Sequence, residues 1–221
     1  IVRALRAQYQ ALNGDLAAVQ GYLLLNEIDN PDYTPAFYPA MAAAIRAIRA
    51  EDPLRPALAV AAVDDFTRKG GSAEGFMDAF FQGYDPPNIF QHEHYVFRGD
   101  VAVEGSEGQG GRRKVAQQLD LLLGGYDRVC RLVLSRAGRW HAIVQVHGEV
   151  RDGRVHYREP EPAEIRVQVG LALSRGASGI VYFVYGSGDE VFGDGTIWSY
   201  NGLVDRQGVR GQRYQAVKAI N

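Results

Sequence analysis

Five short apolar runs, each followed by a stretch with helical spacing, confine this chain to a narrow set of folds. The runs are 21–26, Ala57–Val63, Ile89–Phe97, Trp140–His147 and Gly179–Tyr185. The first, Gly21–Leu25, is unbroken, as suits a strand buried on both faces, the third turns polar at Gln91–His94, and the helical stretches between the runs suit crossover connections. Strand and helix alternating five times predict an α/β protein with a parallel sheet and right-handed crossovers.

The helices are readable from spacing and punctuation. A first helix over about 2–13 ends at the Asn13-Gly14 turn signal. Thr34-Pro35 reads as an N-cap with proline in the first turn, and Phe37, Met41, Ile45 and Ile48 then share one buried face. Asp52-Pro53 closes that helix, and Ser72 caps a short one that buries Phe76, Ala79 and Phe80. Beyond the polar, glycine-rich Glu104–Gly111, helical spacing runs through Val115, Leu119, Leu122 and Leu123. It breaks at Gly124-Gly125 and restarts through Val129, Leu132 and Val133 as far as Gly138. The charged stretch after His147 reads as a loop. Pro162 then opens a helix using Ile165, Val169, Ala172 and Leu173, closed by Gly176. A loop containing Trp198 leads to a last helix over Tyr214–Ile220.

A chain of 221 residues can bury one sizeable core, and nothing in its length demands a second, so 1–221 reads as a single domain. Hydrophobic residues make up 46% and charged residues 23%, which excludes wholesale disorder. The net charge of -2 gives no reason to expect nucleic acid or an anionic membrane as partner. No apolar run reaches the roughly 18 residues of a membrane span, and no signal peptide is visible. The single cysteine, Cys130, cannot form an internal disulfide. The chain starts at Ile1 in mid-helix and stops inside a helix, which suggests a fragment or a processed chain. Localisation is therefore undetermined, with a secreted or periplasmic site open if an N-terminal segment is missing.

Chemistry gathers at the strand ends. The run Gly21-Tyr22-Leu23-Leu24-Leu25 stops at Asn26-Glu27, and Asn30-Pro31 turns the chain straight afterwards. Burying an amide or a carboxylate costs several kcal/mol unless it is paired, so their place is the wet end of the strand, where α/β proteins meet ligands. The other runs also end in polar or aromatic residues. An open five-stranded sheet would use only the ends beside its switch point, whereas a (β/α)8 TIM barrel gathers every end around one site. The barrel is the better fit, as a partial barrel.

With those residues laid out, the chain resembles the C-terminal part of a (β/α)8 glycoside hydrolase of the large clan that includes β-galactosidases and cellulases. Gly21-Tyr22-Leu23-Leu24-Leu25-Asn26-Glu27 resembles the end of that clan's fourth strand, where an Asn-Glu pair provides the acid/base. Ile45–Pro56 resembles the following helix and its Asp-Pro exit. Glu164–Phe183 is similar to the seventh helix and eighth strand of β-galactosidase-like members. Gly202–Gly208 with Tyr214–Lys218 fits the last helix. The likeness spans strands four to eight, which implies that a missing segment or a second chain completes the barrel. It also implies an O-glycosidic carbohydrate substrate, no cofactor and no resident metal. One departure is Ile28, where the commonest form of the motif has proline.

The resemblance implies roles residue by residue. Glu27 is the general acid to the leaving oxygen and then base to water, beside Asn26 on a sugar hydroxyl. The clan's nucleophile belongs near the end of the seventh strand, here His141–Glu149. Strand alternation puts Gln145, His147 and Glu149 on one face. Gln145 stands near the nucleophile's place, and an amide cannot replace a carboxylate, which leaves Glu149 one step on. Glu93, on the sixth strand with Gln91 and Tyr95, is the competitor. It is a nucleophile, a sugar-hydroxyl acceptor or a partner for Arg98. Tyr185 and Trp198 offer rings for the apolar face of a sugar, or for loop packing. Asp64-Asp65 binds sugar hydroxyls or caps the next segment. Glu164 opens a helix, where a carboxylate complements the dipole.

Three readings follow. The first is a glycosidase with two carboxylates, retaining, with Glu27 as acid/base and Glu149 or Glu93 as its partner. The second is a carbohydrate-binding protein on a degenerate barrel, motivated by Gln145. The third is a metal-dependent hydrolase using His92, His94 and His147, since His-x-His on a strand is a possible metal spacing.

Overall fold

A computed structural model describes residues 2–11, 14, 19–26, 35–62, 71–99 and 109–221. In chain order they form α1 (Val2–Ala11), β1 (Tyr22–Leu25), a 3-10 turn (Pro35–Phe37), α2 (Tyr38–Glu51), β2 (Ala57–Ala61), α3 (Ala73–Phe81), β3 (Ile89–Glu93) and α4 (Gln109–Leu134). Then follow β4 (Arg139–Gln145), β5 (Gly148–Arg151), β6 (Arg154–Tyr157), α5 (Pro162–Ser174), β7 (Gly179–Phe183), β8 (Gly188–Val191), β9 (Ile197–Asn201) and α6 (Gln212–Ile220).

The five apolar runs become one parallel sheet in the order β1-β2-β3-β4-β7, the α/β arrangement that their alternation predicts. Tyr22 sits beside Ala57, and Leu58 beside Ile89, in parallel register. A second sheet, β6-β5-β9-β8, is antiparallel and was not expected from the sequence. By compactness the chain divides into Ile1–His92 with Arg128–His141, and Glu93–Asp127 with Ala142–Asn221.

The first unit is built on aromatic packing. Ser72 accepts a hydrogen bond from the Gly75 amide at 2.9 Å, which caps α3 as its sequence position predicts. That helix buries Phe76, Met77, Phe80 and Phe81, while Ala79 is only half-buried. Phe76 stacks on Phe80 at 5.8 Å and meets Phe90 of β3 edge-on at 6.1 Å. Asn88 is a polar pin in this core: it accepts from the Ala57 amide and donates to the Phe80 carbonyl. Met41, Ile45 and Ile48 of α2 are buried at the spacing expected, but the α-helix starts at Tyr38, after the 3-10 turn opened by Pro35.

In the second unit Ile165, Val169 and Ala172 bury one face of α5, and Leu173 points out at 54% exposure, against expectation. Gly176, at φ +80°, ends that helix where a left-handed residue is needed.

Other expectations change as well. α4 is a single 26-residue helix that runs through Gly124-Gly125. Two glycines cost about 1 kcal/mol each relative to alanine. The buried row Leu122, Tyr126, Val129 and Val133 outweighs that. β3 stops at Glu93, four residues short of Phe97, and further on the Arg98 amide donates to the carbonyl of Val96. β4 and β7 end two residues early, at Gln145 and Phe183. Among the described residues no helix is long and apolar enough to cross a membrane.

Candidate functional site

The site grows out of the antiparallel sheet of the second unit. After β4 the chain passes Val146 and His147 and re-enters extended structure as β5. Arg151-Asp152-Gly153-Arg154 then makes the tight reversal into β6, with φ +47° at Asp152 and +76° at Gly153. Positive φ at both central residues is what a two-residue hairpin with the strands' twist requires, and Asp-Gly is a favoured pair there. A second reversal at Phe192–Thr196, with Gly195 at φ +86°, joins β8 to β9.

Register does the rest. Glu149 lies opposite Tyr157 of β6 and Tyr200 of β9, and Arg151 lies opposite Trp198. Alternate residues on a strand share a face, so Glu149 and Arg151 project together, as do Trp198 and Tyr200. The Arg151 Nε donates to Glu149 Oε1. His147 Nε2 stands 3.8 Å from Glu149 Oε2, too long for a hydrogen bond. His147 Nδ1 lies 2.8 Å from the carbonyl oxygen of Phe183, which can only accept, so Nδ1 carries a proton. The His147 ring is caged by Tyr95 and Phe183 at 5.1 Å each, Tyr157 at 5.9 Å and Tyr200 at 6.0 Å. Such ring pairs stabilise by about 0.5–1.5 kcal/mol each beyond their buried area.

Glu149 is 3% exposed. Burial pushes its carboxyl up, but His147 and Arg151 together pull it further down, and it ends below the ordinary value. Tyr200 is shifted the other way, first by burial and then by the charges of Glu149 and Glu190, the latter accepting its hydroxyl at 3.3 Å. Burial also raises Tyr157, partly opposed by Arg98. The result is a carboxylate that stays ionised beside phenols that stay protonated, a combination able to present negative charge and hydrogen-bond donors to one ligand.

The expected site residues fall out as follows. Tyr95, His147 and Glu149 come together. Gln145, fully buried, accepts from the Phe97 amide at 3.0 Å and donates to the Arg158 carbonyl at 3.0 Å, so its amide ties backbone segments together. Trp198 carries the Arg151 guanidinium 3.6 Å above its ring centroid, and Phe192 packs against it at 4.7 Å. Tyr185 is 56% exposed against Tyr214. Glu93 ends β3, half-buried. Asn26, in the first unit, is exposed just past β1. Glu27 and Asp64-Asp65 lie outside the described residues. Glu164 is structural: it takes both ends of a bidentate pair with Arg158 at 2.7 and 2.8 Å and accepts the Glu161 amide. His92 is fully buried against Phe90 and Trp140. Among the described residues no three His, Cys, Asp or Glu side chains gather as a metal site, so His92, His94 and His147 form none.

Arg151, Tyr157, Phe183 and Tyr200 were not anticipated. Register in the antiparallel sheet brings in Arg151, Tyr157 and Tyr200, Phe183 comes from the end of β7, and the reversals at Asp152-Gly153 and Asp194-Gly195 were the legible clue. A cavity of about 300 Å³ also exists in this unit, at the N-terminal ends of α5 and α6, lined by Glu159, Glu161, Leu203, Asp205 and Arg213 among others. No member of the Glu149 cluster lines it, and Glu159 and Arg213 pair across it.

No protein-family model matches the sequence, and no curated protein does. A search of solved structures returns a Bacteroides thetaiotaomicron protein described as a presumptive alpha-L-fucosidase, at 10% identity and a TM-score of 0.43. The match covers 66% of this chain and 42% of that one, so the chain spans well under half of its length. A distant likeness of that size to a glycosidase-type structure is too low to establish a common fold.

Proposed function

We propose that this chain is the later part of a (β/α)8 glycoside hydrolase, with β1, β2, β3, β4 and β7 as barrel strands four to eight. In this reading Glu149 is the nucleophile and Glu27 the acid/base. Glu27 gives its proton to the glycosidic oxygen as that bond breaks, while Glu149 bonds to the anomeric carbon. Water, deprotonated by Glu27, then releases the sugar with retention. Asn26, Tyr95, Tyr157 and Tyr200 hold sugar hydroxyls, and Glu93 is a further acceptor. The barrel needs strands beyond β1 and β7, from a missing segment or a second chain.

One observation carries the reading: a buried carboxylate kept ionised among protonated donors and rings. A buried ionised carboxylate is costly unless paired, and perturbed groups of this kind cluster at functional sites. Glu27→Gln and Glu149→Gln should each lower turnover of activated aryl glycosides, on the order of 10³-fold or more, with folding intact. Azide should restore turnover to Glu149→Ala with an inverted glycosyl azide product. Full activity in Glu149→Gln removes that residue from the mechanism.

Gln145 favours one alternative. It ends β4 with its amide committed to backbone, leaving no carboxylate at the strand terminus itself. That suits a protein that binds saccharide without cutting it. Isothermal titration showing oligosaccharide binding with no hydrolysis of any aryl glycoside would select it.

A further inference from the structure

The antiparallel sheet sets three side chains in series. Trp198 stands across from Arg151 in the β5–β9 register, and its indole supports the guanidinium at 3.6 Å. Phe192 backs the indole at 4.7 Å from the β8–β9 hairpin. Arg151 in turn donates through Nε to Glu149 Oε1. An arginine on a flexible stem seldom holds one geometry. Stacking on a tryptophan face removes that freedom before the bond to the carboxylate forms. The two oxygens of Glu149 thereby become unequal, since Oε1 is anchored by Arg151 while Oε2 faces His147 at 3.8 Å.

We propose that Arg151, clamped on Trp198, is a positioning residue that tethers Glu149 through one oxygen and leaves the other aimed at the reacting carbon. This rests on Glu149 being the reactive carboxylate. Trp198 then acts through Arg151 instead of as a sugar platform, because the ring face that a sugar would need carries the guanidinium. The outer β8–β9 hairpin thus governs the carboxylate without touching substrate. Groups facing Glu149 come from each neighbouring strand: His147 before β5, Arg151 on it, Tyr157 of β6 with Arg98 beside it, and Tyr200 of β9 with Glu190 of β8 on its hydroxyl. Of these, the bond from Arg151 is the one that Trp198 can hold or release.

The test reads the carboxylate directly. In protein carrying 13C at the glutamate side-chain carboxyls, the Glu149 resonance is assigned by its disappearance in Glu149→Gln and titrated with pH. It should titrate below the ordinary glutamate range, and Arg151→Gln should move it up by roughly one to three pH units. Arg151→Lys, which keeps the charge but loses the flat stack and the Nε bond, should recover part of the shift. Trp198→Leu should fall between wild type and Arg151→Gln although Arg151 is still present. A Glu149 midpoint that does not move in any of the three, in variants whose circular dichroism is unchanged, overturns the proposal. So does a Trp198→Leu midpoint equal to wild type. If the midpoints move as expected but no glycoside is hydrolysed, the positioning stands and the glycosidase reading fails. If hydrolysis is found, the acid limb of kcat/KM should shift in step with the midpoints.

Discussion

Glu149 links ionisation to folding, and the sign follows from its depressed value. Below the ordinary value of 4.5 the unfolded chain holds a proton that the folded chain resists taking. Its contribution is therefore complete above that value and is lost as pH falls through the lower folded one. Urea unfolding at pH 7, 4 and 3 should show a falling midpoint, and Glu149→Gln should flatten that fall. Parallel curves for the two proteins would show that Glu149 contributes nothing to acid sensitivity. A second depressed carboxylate needs separating from it. Asp189, held at about 2 chiefly by the Arg206 hydrogen bond, lies at the surface. Added salt screens an exposed pair far more than a buried one. The part of the slope that survives 1 M salt should therefore be the part removed by Glu149→Gln.

At the scale of elements, periodicity was a good guide wherever burial followed it. α2, α3 and α5 bury the expected rows apart from Phe37, Ala79 and Leu173, and Ser72 and Gly176 mark helix ends as their chemistry predicts. The misses share a cause. β5, β6 and β8 are four-residue strands that each carry charged side chains, and the face they share with β9 carries Glu149, Arg151, Tyr157, Trp198 and Tyr200 where an ordinary core would carry aliphatics. No apolar alternation could reveal them. His147 and Glu149 were legible because alternation along one strand is local information. Arg151, Tyr157 and Tyr200 depend on pairing between strands, which is not. The Gly124-Gly125 break failed for the opposite reason: local propensity was read correctly and packing overrode it. A methyl added at Gly124 meets nothing within 4 Å. Gly124→Ala should therefore stabilise by about 0.5–1 kcal/mol and raise Tm by roughly 2–3 °C in calorimetry. A lower Tm would mean that the helix uses that glycine in a way its open surroundings do not suggest.

For the molecule as a whole, the order β1-β2-β3-β4-β7 leaves β1 and β7 each paired on one side among the described residues. Leu23 of β1 is 57% exposed, and all of Gly179-Ile180-Val181-Tyr182-Phe183 is only half-buried, unlike most of the interior strand β4. Unpaired apolar edges recruit further strands, and a net charge of -2 offers little repulsion against it. The isolated 221-residue chain should therefore associate beyond 24.3 kDa, increasingly with concentration, in light scattering coupled to gel filtration. A constant monomer mass would mean that these edges do not recruit a second chain.

Beneath the titrating cluster lies a joint that does not titrate. The Gln168 side chain accepts from the Gln145 amide at 3.1 Å and returns a hydrogen bond to the Gln145 carbonyl at 3.0 Å, both buried. A helix thus lends the last residue of β4 the two bonds that another ribbon of backbone would have supplied. Carboxamides neither gain nor lose protons in water. The hinge point from which His147 and Glu149 depart is consequently as firm in acid as at neutrality, so acid can switch the charge of the cluster without loosening the mount that carries it.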